Sequence, residues 1–185
     1  WGVEDMITKR ALVLSAGALV CVAGARPAGA ALPPISRDQH ENAMRAAIEE
    51  ARRNPVYPFG AVIVRAESGE IVARGANDSR ANPILHGEIA CMSDYVRLHG
   101  NRGWAGCVLY TTGEPCSMCM SALVWAGIGG TVFASSIDAI RRAGIDQIGL
   151  NAQAVIDAAP FYRGLLLGGV LAAETDRMFM DRKRT

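Results

Sequence analysis

The apolar positions of this chain follow a helical period in some stretches and an extended period in others. After a Leu-Pro-Pro connector at residues 32–34, Ser36 and Gln39 have the spacing of a helix-capping box. Four apolar residues then recur on one helical face: Met44, Ala47, Ile48 and Ala51. This helix is expected to stop before Pro55, because the residue before a proline avoids the helical conformation.

Short apolar runs predict β-strands in the next part of the chain. The runs at residues 59–64 and 71–73 contain β-branched residues and flank a turn with Gly69, so they predict a hairpin. Two further runs, at residues 107–110 and 131–133, have the length and composition of buried strands.

Helical stretches alternate with these strands. We expect helices at about residues 86–98, 116–126 and 137–143, then a short strand at 168–171 and a last helix through Glu174. Around the first of these helices, four apolar residues have helical spacing: Leu85 just before it, then Ile89, Met92 and Val96. Strands that alternate with helices imply a central sheet covered on both faces, so we predict an α/β fold.

The first thirty residues differ from the rest of the chain. Lys9 and Arg10 precede an apolar run at residues 11–25, and small residues follow at 28–30. This order is typical of a secretory signal, which here resembles the twin-arginine type, and the apolar run is short for a membrane span. We therefore predict a signal peptide at residues 1–30 and one functional domain at residues 31–185.

Such a signal predicts export to the periplasm, with no stable membrane association after cleavage. The alternatives are an uncleaved membrane anchor or a buried N-terminal helix, and the protein would be cytoplasmic if this segment is not a functional signal.

Charge and composition limit the partners of the 31–185 domain. The 185-residue chain is 50% apolar with a formal net charge of +1, and residues 1–30 carry three basic and two acidic residues. Residues 31–185 therefore have no formal net charge. Because nucleic-acid-binding domains usually carry a basic excess, a nucleic acid partner is not expected.

Two short motifs contain the residues that can do chemistry. His86-Gly87-Glu88 stands at an expected helix start, and Pro115 precedes Cys116 and Cys119, which are three positions apart. The two cysteines on the first turn of a helix face the same way, and the positive end of the helix dipole favours their thiolate form. One histidine and two cysteines give three protein ligands, the number typical of a catalytic zinc that keeps its fourth position for water.

Glu88 has the position of a general acid and base. It can take a proton from water activated by the zinc and deliver it to a ring nitrogen and then to the departing amine. Since residues i and i+2 of a regular helix do not face each other, His86 must lie at the turn before the helix or in an irregular first turn. The H-x-E and P-C-x-x-C pair is the signature of zinc deaminases that act on nucleobases.

With these motifs, the chain resembles the cytidine and deoxycytidylate deaminase superfamily, in particular its bacterial guanine, cytosine and tRNA adenosine deaminases. The similarity runs from about residue 36 to 179 and includes residues 59–64 and 77–78. It implies zinc ligands at His86, Cys116 and Cys119 and a proton shuttle at Glu88. The fold it implies is a three-layer αβα sandwich around a mixed five-stranded sheet, usually assembled as a homodimer.

The substrate expected from the resemblance is a free nucleobase or nucleoside. Trp125 lies in a Val-Trp-Ala segment that looks like that of guanine deaminases, which favours a guanine-type purine or related amino-heterocycle. The resemblance implies a base-contacting amide at Asn77, although turn chemistry explains an asparagine there equally well. Phe59 and Trp125 are the other candidate substrate-binding residues. Gly87 departs from the alanine that the family commonly has, a small change that loosens the helix start.

Three other functions remain as alternatives. A tRNA adenosine deaminase shares the chemistry, although the neutral domain and the signal argue against it. A thiol-disulfide oxidoreductase explains Cys116 and Cys119 but gives no role to His86 and Glu88. A zinc-stabilised binding module would need a fourth protein ligand and has no use for Glu88.

Overall fold

The computed structural model describes residues 32–184, so the predicted signal peptide at 1–30 lies outside the described residues. The secondary-structure elements follow one another in this order: α1 (Arg37–Ala51), β1 (Gly60–Arg65), β2 (Ile71–Ala76), α2 (Gly87–His99), a 3-10 turn (Trp104–Gly106), β3 (Cys107–Gly113), α3 (Ser117–Ala126), β4 (Gly130–Ser135), α4 (Ile137–Arg142), α5 (Ala152–Asp157), β5 (Leu165–Leu167) and α6 (Ala172–Met180).

One mixed sheet forms the middle layer, with strand order β2-β1-β3-β4-β5. β1 pairs antiparallel with β2 and β3, whereas β3 and β4 pair in parallel, as do β4 and β5. The antiparallel part contains the hairpin that the sequence predicted. The parallel part is connected through helices, as parallel strands require.

Helices cover both faces of the sheet. On β1, Val62 and Val64 pack with α1, while Ala61 and Ile63 pack with residues of α2 and α3. Alternation of this kind is the expected period of a strand buried on both sides. The predicted three-layer αβα sandwich with a mixed five-stranded sheet is therefore confirmed.

Two glycines let helices approach the sheet closely. A Cβ atom on Gly60 would lie 2.2 Å from the carbonyl oxygen of Ala47 in α1. A Cβ atom on Gly75 would lie 2.2 Å from the amide nitrogen of Cys91 in α2. Because glycine has no Cβ atom, α1 and α2 can lie close against opposite faces of the hairpin, and no other residue fits at these two positions.

The C-terminal part differs from the prediction in two ways. The last strand is Leu165–Leu167 rather than residues 168–171, where Gly169 and Leu171 have positive φ angles and lead into α6. Helix α5, which is six residues long, was not predicted.

The environment of His40 in α1 also differs from the prediction. The polar neighbours of His40 along the chain predict a surface position, whereas His40 is partly buried and its Nδ1 atom lies 3.0 Å from the hydroxyl of Tyr110. The bond joins α1 to the central strand β3, a contact between residues 70 positions apart that polar neighbours along the chain do not reveal.

Within residues 32–184, no helix is both long and apolar enough to span a membrane.

Candidate active site

His86 lies immediately before α2, in the position that its predicted role requires. Its backbone is extended, with φ −68° and ψ 163°, and its side chain makes no capping hydrogen bond to the helix. The imidazole is therefore free to turn away from the helix axis, while Glu88 belongs to the first turn. The expectation that His86 precedes the regular helix is confirmed.

Cys116 lies immediately before α3, as His86 lies immediately before α2. It is the N-cap residue of α3, with φ −61° and ψ 167°, and Cys119 lies three residues later in the first turn. The expected helix start is thus correct to one residue. The first turns of α2 and α3 both face the space between His86 and the two cysteines. The positive dipole ends of these helices favour thiolates there.

Three ligand atoms converge between these two helix starts. The Nδ1 atom of His86 lies 3.6 Å from the sulfur of Cys116 and 3.6 Å from the sulfur of Cys119. All three ligand atoms lie within 4.8 Å of one another, and within residues 32–184 no other group of three such ligands meets this criterion.

The donor set fits zinc in number and in spacing. Tetrahedral zinc with bond lengths of about 2.3 Å to sulfur and about 2.05 Å to nitrogen separates these two atoms by about 3.6 Å. The observed separation between His86 Nδ1 and each sulfur agrees with this value. Two thiolates and an imidazole fill three positions and leave the fourth for water, as in catalytic sites.

The two cysteine thiols differ in pKa, and both can bind a metal cation. Hydrogen bonds from Cys119 and from His86 lower the pKa of the Cys116 thiol to about 4, so this sulfur is a thiolate at neutral pH. The hydrogen bond to Cys116 and burial both raise the pKa of the Cys119 thiol. A bound metal cation offsets that cost, because a coordinating thiol is deprotonated by the metal.

Glu88 is buried beside these ligands, with 3% of its surface exposed. Burial is the main cause that raises the pKa of its carboxyl group, and the Cys116 thiolate adds to the rise. The hydroxyl of Thr111, in β3, donates to Glu88 Oε1 at 3.2 Å. This carboxyl group is therefore held in one orientation, and its raised pKa suits it to accept and release a proton.

Residues 37–135 of the chain match the family described as the cytidine and deoxycytidylate deaminase zinc-binding region. The matched range contains His86, Glu88, Cys116 and Cys119. The chain belongs to the cytidine and deoxycytidylate deaminase family. The resemblance deduced from the two motifs is therefore confirmed.

Several relatives share this deaminase domain. Guanine deaminase of Bacillus subtilis is 30% identical over 132 residues, which are 68% of this chain and 83% of that protein. The tRNA-specific adenosine deaminase of Aquifex aeolicus is 33% identical over 97 residues, or 50% of this chain and 63% of that protein. Both matches support a deaminase, and they differ in the substrate named.

The fold has a similar relative among solved structures. Guanine deaminase from Nitrosomonas europaea aligns with a TM-score of 0.65 and 24% identity, and the alignment covers 75% of this chain and 81% of that one. At this identity the likeness shows the fold.

The candidate substrate-binding residue Asn77 lies next to the deaminase motifs. Its backbone amide donates to the carbonyl oxygen of Phe59 at 2.8 Å. The same carbonyl oxygen would lie 2.7 Å from a Cβ atom on Gly87, so the start of α2 packs directly on it. Asn77, Phe59 and Gly87 are thus joined at one end of the sheet.

Gly87 stands where the family commonly has alanine, and its surroundings give the residue a packing role. The close contact with the Phe59 carbonyl leaves no room for a methyl group unless the backbone moves. In this chain, glycine therefore allows the start of α2 to rest on the strand that follows Phe59.

Phe59 and Trp125 lie in different surroundings. The ring of Phe59 packs on Phe179 of α6, with 4.9 Å between ring centroids, so at least part of its role is structural. Trp125 is 78% exposed at the far end of α3 and stacks on Phe161 at 5.3 Å. With a rise of 1.5 Å per residue, it lies roughly 14 Å from Cys116 along the helix axis. Their contact with substrate remains a prediction.

Sequence reasoning missed the residues that support the site. These residues are Thr111, which binds Glu88; Glu114, which binds the first amides of α4 and α5; and Asn54 and Ser79, which bind Asn77. Most of these bonds join residues more than twenty positions apart, so the local sequence carries no signal for them. Glu114 alone had a signal in the local sequence, since it directly precedes Pro115 in the motif.

Proposed function

We propose that this deaminase catalyses the zinc-dependent hydrolytic deamination of a free nucleobase or nucleoside, with a guanine-type purine or related amino-heterocycle as the favoured substrate. The observation that supports it most is the buried Glu88 beside the convergent atoms of His86, Cys116 and Cys119. The similarity to guanine deaminase of Bacillus subtilis over most of both chains supports the substrate class.

The chain's own residues divide the reaction between them. His86, Cys116 and Cys119 would hold zinc, which supplies Lewis-acid activation of water. Glu88 accepts one proton from the attacking water and transfers it to the ring nitrogen, then takes the second proton from the hydroxyl of the addition product and transfers it to the departing amine. Water adds to the amino-bearing carbon, the C–N bond breaks, and ammonia leaves the oxo product. Thr111 holds one carboxylate oxygen of Glu88, which favours transfer through the other.

Glu88→Gln tests this proposal. The full chain, with zinc content measured, is assayed for ammonia release from guanine, cytosine, isocytosine, adenine and their nucleosides. We expect one base to be converted and the variant to lose about 10²–10⁴-fold in kcat while keeping its zinc, because glutamine cannot shuttle the proton. Glu67→Gln, in the exposed hairpin turn, is the matched control and should keep full activity.

Other outcomes would redirect the proposal. Undiminished activity in Glu88→Gln would exclude Glu88 as the proton shuttle. A silent panel with one zinc bound would move the substrate to another amino-heterocycle, and a silent panel without zinc would favour the thiol-disulfide alternative.

A tRNA adenosine substrate is the second candidate, supported by the similarity to the Aquifex aeolicus enzyme. It predicts RNA binding that weakens steeply as salt is raised, which a filter-binding titration would measure.

Export and assembly as a homodimer are also our proposals. Export is supported by the basic, apolar and small residues in the 1–30 segment. A homodimer is supported by the exposed stacked pair of Trp125 and Phe161, since exposed apolar groups in contact often mark an association surface.

A further inference from the structure

The side chain of Asn54, between α1 and the Pro55 turn, has a fixed orientation. Its Oδ1 atom accepts from the backbone amides of Val56 at 3.2 Å and Tyr57 at 3.0 Å. A backbone amide can only donate, so the atom that faces both must be the oxygen. The Nδ2 donor of Asn54 is therefore directed to the other side, toward Asn77.

Asn77 is oriented in the same manner. Its Oδ1 atom accepts from the backbone amide of Ser79 at 3.2 Å, from the Ser79 hydroxyl at 2.9 Å and from Asn54 Nδ2 at 3.3 Å. Asn54 Nδ2 also donates to the main-chain oxygen of Asn77 at 2.9 Å. With its oxygen bound by three donors, the Asn77 amide has no freedom to exchange its oxygen and nitrogen.

The Nδ2 atom of Asn77 remains available as a hydrogen-bond donor. Asn77 is only 7% exposed, and within residues 32–184 this nitrogen donates to no protein group. The fully enclosed polar atoms without a partner in that range are Thr131 Oγ1, Tyr162 Oη and Arg182 Nε. Asn77 Nδ2 is not one of them, so this nitrogen is not fully enclosed. A nearly buried, unpartnered donor that is not fully enclosed points to an acceptor on a ligand.

We propose that Asn54 and Ser79 are positioning residues that hold Asn77 with its Nδ2 donor toward the substrate, so that the site selects a heterocycle with a hydrogen-bond acceptor there. This inference rests on the proposed function and concerns the same site. Asn77 lies beside the deaminase motifs through the Phe59 carbonyl, which the start of α2 contacts. An acceptor-free analogue would leave the donor unpaired, and sites of this kind reject such analogues strongly.

Asn54→Asp is the variant that isolates this effect. An aspartate side chain keeps an acceptor for the amides of Val56 and Tyr57, so the local turn is retained, but its carboxylate has no donor for Asn77. Asn77 would then rotate to give its Nδ2 atom to the new carboxylate and would present oxygen to the substrate. The Ser79 hydroxyl can accept from the rotated Nδ2 atom, so only the bond from the Ser79 backbone amide is lost, and the charge-assisted bond to the carboxylate outweighs it. Asn82→Asp, which adds the same charge at an exposed turn in the following loop, is the matched control.

The first measurement reads the orientation without using activity. In the NMR spectrum of the full chain, the Asn77 side-chain protons should show only a weak nuclear Overhauser contact to the Ser79 amide proton, because the Asn77 oxygen is the atom that faces this amide. The contact should become stronger in Asn54→Asp, since rotation brings the Asn77 nitrogen to Ser79. A contact of equal strength in both proteins would overturn the proposal.

The second measurement compares kcat/KM for guanine, 7-deazaguanine and 2-aminopurine, because the two analogues each lack one acceptor of guanine. We expect wild type and Asn82→Asp to discriminate against one analogue by at least about 10-fold, mainly in KM. Asn54→Asp should lose about 10-fold on guanine and should no longer distinguish that analogue.

The outcomes separate this inference from the proposed function. If Asn54→Asp slows guanine and both analogues by the same factor, Asn54 has only a structural role and the inference is wrong. If wild type converts no base while the amide has the expected orientation, the proposed function fails and the claim of selectivity fails with it.

Discussion

The hydroxyl of Thr111 is the protein donor that holds Oε1 of Glu88. Thr111 is fully buried in the central strand β3, and Glu88 comes from α2 on one face of the sheet. The bond links a rigid strand to the proposed proton shuttle. Since a buried carboxyl group can rotate when it loses a partner, the hydroxyl of Thr111 keeps Glu88 directed toward the proposed zinc ligands.

Thr111→Val is expected to lower kcat by about 10- to 100-fold, because a hydrogen bond to a charged group is lost without a change of shape. KM should change by no more than about twofold, and zinc content should stay the same, since Thr111 touches neither the proposed ligands nor the substrate. Steady-state kinetics on the converted base, with metal analysis, measures all three.

Thr111→Ser is the matched control for that measurement. Serine keeps the hydroxyl and loses only the methyl group, so most of kcat should return. Equal losses in both variants would assign the effect to packing and contradict a role for the hydroxyl.

At the scale of single residues, the sequence predicted the residues that carry chemistry but not those that orient them. His86, Glu88, Cys116 and Cys119 are found through short spacings that reflect helix-start geometry. In the sequence, nothing distinguishes Thr111 from any other threonine in a mostly apolar strand. Its bond to a residue 23 positions away exists only once β3 and α2 are packed together.

Helix α2 shows how function shifts the buried face of an element. The apolar spacing predicted a face through Ile89, Met92 and Val96, yet Val96 is 44% exposed and the buried positions include Glu88, Cys91 and Tyr95. The buried set has the same helical period, displaced by one residue. A hydrophobic pattern cannot anticipate that a carboxylate belongs inside, because the reason for its burial is the neighbouring ligand group.

Glu114 connects three elements near the site. One carboxylate oxygen accepts from the amide of Ile137, the first residue of α4, and the other from Ala152, the first residue of α5, both at 2.9 Å. Its own amide donates to Ser135, at the end of β4. A negative charge at two helix starts is stabilising, so this residue holds the loops after β4 to the turn that carries Cys116.

Glu114→Gln is expected to lower the free energy of unfolding by about 1–3 kcal/mol, because the glutamine amide has one acceptor where two buried amides need one each. Urea denaturation measures the loss. Hydrogen exchange should become faster at Ile137 or Ala152, whichever amide faces the glutamine nitrogen.

The exposed Glu67→Gln variant controls for the change in charge and should leave both readouts unaltered. A Glu114→Gln protein as stable as wild type, with unchanged exchange at both amides, would show that other contacts hold α4 and α5.

At the scale of the whole molecule, the proposed zinc ligands lie where separate parts of the fold meet. The parallel unit β3-α3-β4 directs the first turn of α3 to the carboxyl end of β3. The antiparallel hairpin of β1 and β2 leads into the loop before α2, whose first turn reaches the same end. His86 and the two cysteines therefore belong to different halves of the chain, and one ion would bind both halves together.

Metal removal should consequently destabilise the whole domain. An ion that binds only the folded state adds about 2.7 kcal/mol at a free concentration of 100 times its Kd. For a domain of this size, that corresponds to a fall in Tm of about 5–10 °C after chelation. Differential scanning fluorimetry of the full chain, with stoichiometric zinc and after dialysis against a chelator, measures the difference.

Two cysteine variants decide whether that shift comes from this site. Cys116→Ser removes one ligand and should abolish the zinc-dependent rise in Tm, because two remaining ligands bind zinc weakly. Cys91→Ala removes a buried thiol of the core and can lower Tm by itself, yet it should keep the rise in full. A zinc-dependent rise that survives Cys116→Ser, or none in wild type, would mean that the ion does not hold the two halves of the fold together.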